Sequence, residues 1–206
     1  AGVVRVLEFT GGRRLVYKRR PLALEADFHA LLRTLAEAGL ACSPPSLPVL
    51  DRGDYGWVGF AQAGPVADDA ALTAWFGKAG ALLCLVHLLG GNDGHMENVV
   101  ATPEGSVLID VETLLQPSLS KADTATGTFA LAARQVQDSV LQTGLLPLWQ
   151  RGKNGALHDI GGLTGAGGYE SPVLRQVWED VGTDGVRSTW RRGVARGLDN
   201  LPVCGG

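Results

Sequence analysis

Asp93, His95, Glu97 and Asn98 crowd one loop of the stretch "NDGHMENVVATPEGSVLIDVETL", and Asp110 and Glu112 follow a short apolar run further along it. If Val99-Val100-Ala101 and Val107-Leu108-Ile109 pair as a hairpin across "TPEGS", Asp110 returns to the end where Asn98 sits. A carboxylate and a carboxamide oxygen then face one point. Hard oxygens in that number suit a Mg²⁺ ion that also carries phosphates and water. Asp93, earlier in the loop, is placed to orient an attacking hydroxyl or to accept its proton.

Phosphoryl transfer also needs a cation on the nucleotide. Lys18 ends a predicted strand, and Glu25 on the helix after it is spaced to pair with it. Protein kinases use the same arithmetic: a catalytic-loop Asp five residues before a metal-binding Asn, then a metal-binding Asp after a short hairpin. Here D-x-H-x-x-N and I-D-x-E fit that logic without the kinase H-R-D or D-F-G letters. Taken singly, each residue has an ordinary reading: Asp93 as a turn residue, His95 as a loop histidine, Lys18 as a surface lysine, Asp110 and Glu112 as caps of a turn. The order in which they occur along the chain sets the combination apart.

The elements that must position them are legible upstream. Val3 to Phe9 and Arg14 to Lys18 flank Thr10-Gly11-Gly12 as a predicted hairpin. Pro21 suits the start of a helix carrying Leu22, Leu24, Phe28, Leu31, Leu32 and Leu35 at helical spacing, with Gly39 as its stop. "CSPPSLP" is a stiff connector to two short strands, Val49-Leu50 and Gly56 to Phe60. A second helix begins at Asp69, capped by Asp68 or Asp69, with an apolar stripe of Leu72, Trp75, Phe76, Ala79, Leu82, Leu83 and Val86. Downstream, the pattern predicts a helix over Phe129 to Thr143, a flexible loop over 150–170 and a helix from Trp178 to Gly197 broken at Gly182 and Gly185.

Composition bounds the class. The chain has 206 residues, 45% of them apolar and 19% charged, which is an ordinary globular composition. A net charge of -3 supplies no global basic field for nucleic acid. Cys42, Cys84 and Cys204 form no C-x-x-C pair, so neither a zinc knuckle nor a disulfide framework is indicated, which suits a reducing compartment. The longest uninterrupted apolar run, Ala79 to Val86, is too short for a membrane span. The N-terminus lacks both a signal-peptide pattern and a Met, so the chain reads as a piece of something longer.

With these residues in place, the sequence resembles the dehydratase domain of class II lanthipeptide synthetases, the LanM-type enzymes. The resemblance is carried by "LEFTGGRRLVYKRRPLALEADFHALL", "DRGDYGWVGF", "GALLCLVHLLGGNDGHMENVVA", "VLIDVETLLQP" and "SVLQTGLLP", across most of residues 4–147. It implies an α+β, protein/lipid-kinase-like two-lobe fold, with a small β-rich lobe over 1–62 and a mostly helical lobe over 63–206. It implies a cytoplasmic bacterial enzyme that uses ATP and Mg²⁺ to phosphorylate Ser or Thr of a leader-bearing precursor peptide. Elimination of the phosphate then leaves a dehydroamino acid. In that scheme Lys18 contacts the ATP phosphates with Glu25 as its partner, Asp93 is the acidic residue of the catalytic loop and His95 assists in that loop. Asn98 and Asp110 hold Mg²⁺, with Glu112 as a further member of the metal set. A zinc-dependent cyclase domain is expected in the full-length protein. Gly59 departs from the family, standing where an acidic residue is common. Two other readings are an aminoglycoside-phosphotransferase-like small-molecule kinase, which shares the D-x-H-x-x-N spacing, and a non-catalytic fragment that binds a nucleotide or peptide.

Overall fold

The computed structural model describes residues 4–116, 127–151, 155–164, 170–194 and 200–205. Its elements are mixed helix and strand. The N-terminal hairpin forms as the Thr10-Gly11-Gly12 turn predicts, β1 (Val4–Glu8) antiparallel to β2 (Arg14–Lys18) with Val6 opposite Val16. Gly11 and Gly12 both take positive φ in the turn. β3 (Val49–Asp51) and β4 (Gly56–Gly59) complete a four-stranded sheet in the order β1-β2-β4-β3. Lys18 pairs with Gly56 across β2 and β4, which fixes the lysine at one end of the sheet. Glycine is required at two places in β4. A side chain at Gly56 would run into Leu22 and the Leu50 carbonyl, and one at Gly59 would strike the Pro48 ring. The Pro48 contact accounts for Gly59 where the resemblance leads one to expect an acidic residue.

Helix α1 (Ala23–Glu37) begins two residues after Pro21, with Leu22 at its N-cap position. It buries Glu25, Phe28, His29 and Leu32, spaced three, one and three apart on the face turned inward. Helix α2 (Asp69–Leu88) is capped by Asp68, whose side chain accepts from the Ala71 amide at 2.8 Å. Its buried face is Trp75, Ala79, Leu82 and Val86, and Trp75 Nε1 donates to the Thr102 carbonyl at 3.0 Å. Phe76, expected in that stripe, is about half exposed; it lies one step round from Trp75, and the buried face is narrower than the apolar composition suggests. By length and composition α2 is apolar enough to cross a membrane. One such helix is weak evidence for a span, and this one carries residues of both apolar clusters of the core.

The hairpin after the polar loop also forms, β5 (Val99–Thr102) against β6 (Gly105–Leu108), with Val99 opposite Leu108. All of β6 is buried, and Val99, Val107 and Leu108 join Leu82, Val86 and Phe28 in the interior. Three downstream expectations are corrected. The helix predicted over Phe129 to Thr143 is α3 (Thr128–Gln137), followed by a separate 3-10 turn (Val140–Thr143) that restarts at Ser139. The Ser139 hydroxyl accepts from the Leu141 amide and so caps the new turn. The predicted loop over 150–170 contains a two-stranded ladder, β7 (Trp149–Arg151) with β8 (Leu157–Asp159); residues 152–154 and 165–169 lie outside the described residues. Asp159 ties that ladder together, its buried Oδ1 accepting from the Leu148 amide at 2.8 Å and the Gly161 amide at 3.0 Å.

The third correction is the helix predicted from Trp178 to Gly197. The chain instead forms a long antiparallel hairpin, β9 (Glu170–Glu179) with β10 (Arg187–Val194); residues 195–199 lie outside the described residues. The glycines read as helix breakers belong to its turn, where Asp180 and Gly182 take positive φ. Glu179 holds the strands in register, receiving Arg187 Nε at 2.9 Å and pairing with Arg191.

His29 gives the fold a pH dependence. The ring is buried, and its Nδ1 accepts from the Leu47 amide at 3.2 Å. Its Nε2 has no hydrogen-bond partner among the described residues. Burial, with Arg33 and Lys18 adding repulsion, lowers its pKa from 6.5 to about 4. The unfolded chain therefore takes up a proton that the folded chain refuses. Stability is fully present above pH 6.5 and is lost as pH falls toward 4. His29→Asn keeps an acceptor for the Leu47 amide without a titrating ring. Between pH 7 and 4 it should lose roughly 3 kcal/mol less stability than the wild type, measured by urea unfolding at each pH.

Candidate active site

Lys18 is fixed first. Its ammonium donates to Glu25 Oε1 at 2.7 Å, to Glu25 Oε2 at 3.0 Å and to the Ile109 carbonyl at 2.7 Å. Both side chains of the pair are buried, so the strand end and the first turn of α1 are locked together in an environment where a lone charge would be costly. The third bond reaches the far hairpin and ties the sheet to the segment that carries Asp110. All three ammonium donors thus have acceptors; a phosphate oxygen arriving at Lys18 would displace the Ile109 carbonyl.

The β5–β6 hairpin does what its spacing implies. The Ile109 amide donates to the Asn98 carbonyl at 2.8 Å, which extends the ladder by one pair and sets Asp110 next to the Asn98 end. Asn98 and Asp110 line one cleft of about 790 Å³ together with Lys18, Arg20 and Glu112. Asp110 Oδ1 accepts from Arg20 Nη2 at 3.2 Å and from the Glu112 amide at 3.3 Å, while Oδ2 takes no hydrogen bond among the described residues. Asn98 Nδ2 donates to the Asp93 carbonyl at 2.8 Å and to Asp93 Oδ2 at 3.1 Å, which turns its amide oxygen away from that contact.

Asp93 is therefore held from two sides. Oδ2 meets Asn98, and Oδ1 faces His95 Nε2 at 3.3 Å. His95 Nδ1 accepts from the Glu97 amide at 3.2 Å, so in the neutral ring Nε2 carries the hydrogen that faces Asp93. The loop has its own clamp. The Gly94 amide donates to the Thr143 carbonyl at 2.8 Å, the Met96 amide to the Ile160 carbonyl at 3.0 Å, and His95 bridges to Gly161. Gly94 and Gly162 approach so closely that a side chain on Gly162 would overlap the Gly94 carbonyl.

Each residue expected from the sequence thus has a place. Lys18 meets Glu25; Asp93 meets His95 and Asn98; Asn98 and Asp110 share a cleft with Lys18. Glu112 lines that cleft too, but it is largely exposed and its carboxylate is ion-paired to Arg20 Nη1. Among the described residues no three His, Cys, Asp or Glu side chains group as a metal cluster. What the cleft offers a cation is one carboxylate oxygen and one carboxamide oxygen, a donor set that fits Mg²⁺ carrying its own water and phosphate ligands. Sequence reasoning missed Arg20. Its guanidinium lies between Glu25 Oε2 at 3.7 Å, Asp110 and Glu112. The available signal was its spacing of two from Lys18, which in extended chain puts both residues on one side.

Comparison with known proteins places the chain in a family. The chain belongs to the family described as "Domain of unknown function (DUF4135)", whose family model matches residues 2–206. The chain is also 26% identical over 152 residues to the "Lacticin 481/lactococcin biosynthesis protein LcnDR2" of Lactococcus lactis subsp. lactis. That alignment covers 69% of this chain and 16% of the relative, so the chain spans under a fifth of that protein's length. Both findings bear out the resemblance to the LanM-type lanthipeptide synthetases.

Proposed function

We propose that the chain works in lanthipeptide biosynthesis and supplies a kinase-type centre that phosphorylates Ser or Thr of a precursor peptide. The relationship to a lacticin 481/lactococcin biosynthesis protein supports the biosynthetic role. The observation that carries the chemistry is the meeting of Lys18, Asn98 and Asp110 on one cleft, with Asp93 bonded to Asn98 beside it. On this reading residues 1–62 form the smaller lobe and 63–206 the larger, in a kinase-like arrangement, and the cleft takes ATP.

In the reaction, the peptide hydroxyl oxygen attacks the γ-phosphorus of ATP, and the bond from that phosphorus to the bridging oxygen of ADP breaks. Asp93 accepts or orients the hydroxyl proton, with its carboxylate aimed by Asn98 and His95. Lys18, held in place by Glu25, faces the transferring phosphates. Mg²⁺ held by Asn98 and Asp110 would neutralise the charge that collects on those phosphates. Elimination follows: a base takes the α-proton, phosphate leaves the β-carbon, and a double bond forms. The roles proposed for Lys18, Asp93, Asn98 and Asp110 concern the first step.

The test is mass spectrometry of the precursor peptide encoded beside this gene, incubated with the full-length enzyme, ATP and Mg²⁺. The expected products are a phosphorylated species and then species lacking water relative to the starting peptide, both dependent on ATP and on the metal. An unmodified peptide under conditions where Mg²⁺-ATP stabilises the protein would overturn the catalytic reading and leave a nucleotide-binding one.

A further inference from the structure

The acidic side of the cleft is shared out unevenly, and Arg20 does the sharing. Its Nη2 takes Asp110 Oδ1, its Nη1 takes the Glu112 carboxylate, and Glu25 Oε2 lies 3.7 Å from it. The side chain is about four-fifths buried, and its Nε is buried with no partner among the described residues. The guanidinium is thus wedged in the cleft wall, not draped over the surface. Two cations, Lys18 and Arg20, stand against three carboxylates, Glu25, Asp110 and Glu112, so the cluster retains a negative excess that a divalent ion can neutralise. Asp110 Oδ2 takes no hydrogen bond among the described residues, and it lies on a residue that lines the same cleft as Asn98.

We infer that Arg20 sets the metal preference of the cleft by withholding Glu112 and one oxygen of Asp110 from the ion. This rests on the proposed Mg²⁺-ATP reading and deepens it. Mg²⁺ prefers six ligands at short range and keeps waters and phosphate oxygens, so two protein oxygens suffice. Ca²⁺ gathers six to eight oxygens and gains from bidentate and additional carboxylates. An arginine that occupies those extra oxygens keeps the protein's share of the coordination sphere small and favours Mg²⁺. Arginine suits the role because its planar fork engages two carboxylates at once, which a lysine ammonium cannot do with fixed geometry.

The experiment is a titration of Mg²⁺ and of Ca²⁺ at fixed ATP on the full chain, read as the shift in thermal midpoint, so it does not depend on turnover. Loss of a cation strengthens binding of every divalent ion, and the ratio of the two half-saturating concentrations removes that common part. In Arg20→Gln the ratio should move toward Ca²⁺ by about tenfold as carboxylate oxygens are released to the larger ion. Arg20→Gln combined with Glu112→Gln should lose most of that gain. Arg20→Lys should move the ratio a smaller distance the same way, and it carries the test if the Gln variant does not fold. An unchanged ratio in folded variants, with wild type stabilised by Mg²⁺-ATP, overturns the role of Arg20 and leaves the functional reading intact. A gain that survives in the double variant overturns the part given to Glu112. Wild type that no divalent ion and ATP together stabilise overturns both the inference and the reading beneath it.

Discussion

Asp93→Asn should lower peptide phosphorylation by about a hundred- to ten-thousand-fold, the range over which a positioned general base contributes. The loss should fall on kcat, with KM for ATP changed only a few-fold, because Asp93 is bonded to Asn98 and His95 and is not among the residues lining the nucleotide-sized cleft. An amide can still meet either neighbour, and the side chain is nearly half exposed, so the fold should tolerate the change. Single-turnover measurement of phosphopeptide formation separates this outcome from slow product release. A variant that retains wild-type kcat would remove Asp93 from the chemistry and shift attention to His95.

The largest effect on stability should come from Glu25→Ala. The substitution strips Lys18 of two of its three acceptors and leaves an ammonium group buried with only the Ile109 carbonyl. Breaking one side of a buried pair in this way costs about 3–5 kcal/mol, a large part of the 5–15 kcal/mol available to a typical domain. Replacing both partners with apolar residues, Lys18→Met with Glu25→Leu, should recover much of that stability and none of the activity. Denaturant unfolding of the single and double variants, alongside an ATP titration, checks both halves. If Glu25→Ala were as stable as wild type, the pair would have to be far better hydrated than its burial indicates.

The parts of the site that were legible in the sequence are those built by local pattern. The β1–β2 hairpin, the capped α2 and the β5–β6 hairpin all follow from short apolar runs, turn residues and an Asp cap, and together they bring Lys18, Asn98 and Asp110 to one cleft. The pairing of Lys18 with Glu25 could be read because only a strand end and the first turn of α1 separate them. Arg20 was not read because two of its partners, Asp110 and Glu112, lie about ninety residues away and nothing local marks them. β9 and β10 were misread for a related reason. "VLRQVW" and "RSTW" carry β-branched and aromatic residues without a strict apolar-polar alternation, and Gly182 and Gly185 resemble helix interruptions until Glu179 and Arg187 are seen to face each other across strands. The clamp on the Asp93 loop depends on backbone groups, and backbone groups carry no sequence signature of their own.

That clamp also imposes an order on biosynthesis. Asn98 and Asp110 can be brought together as soon as β6 has been made, yet the carbonyls that receive the Gly94 and Met96 amides belong to Thr143 and Ile160. A nascent chain therefore exposes the acidic loop for the time needed to translate about fifty further residues, on the order of seconds. Until that later segment docks, Asp93 has its immediate neighbours but no fixed seat. The seat of Asp93 is thus completed late, when most of this stretch of polypeptide has already been made.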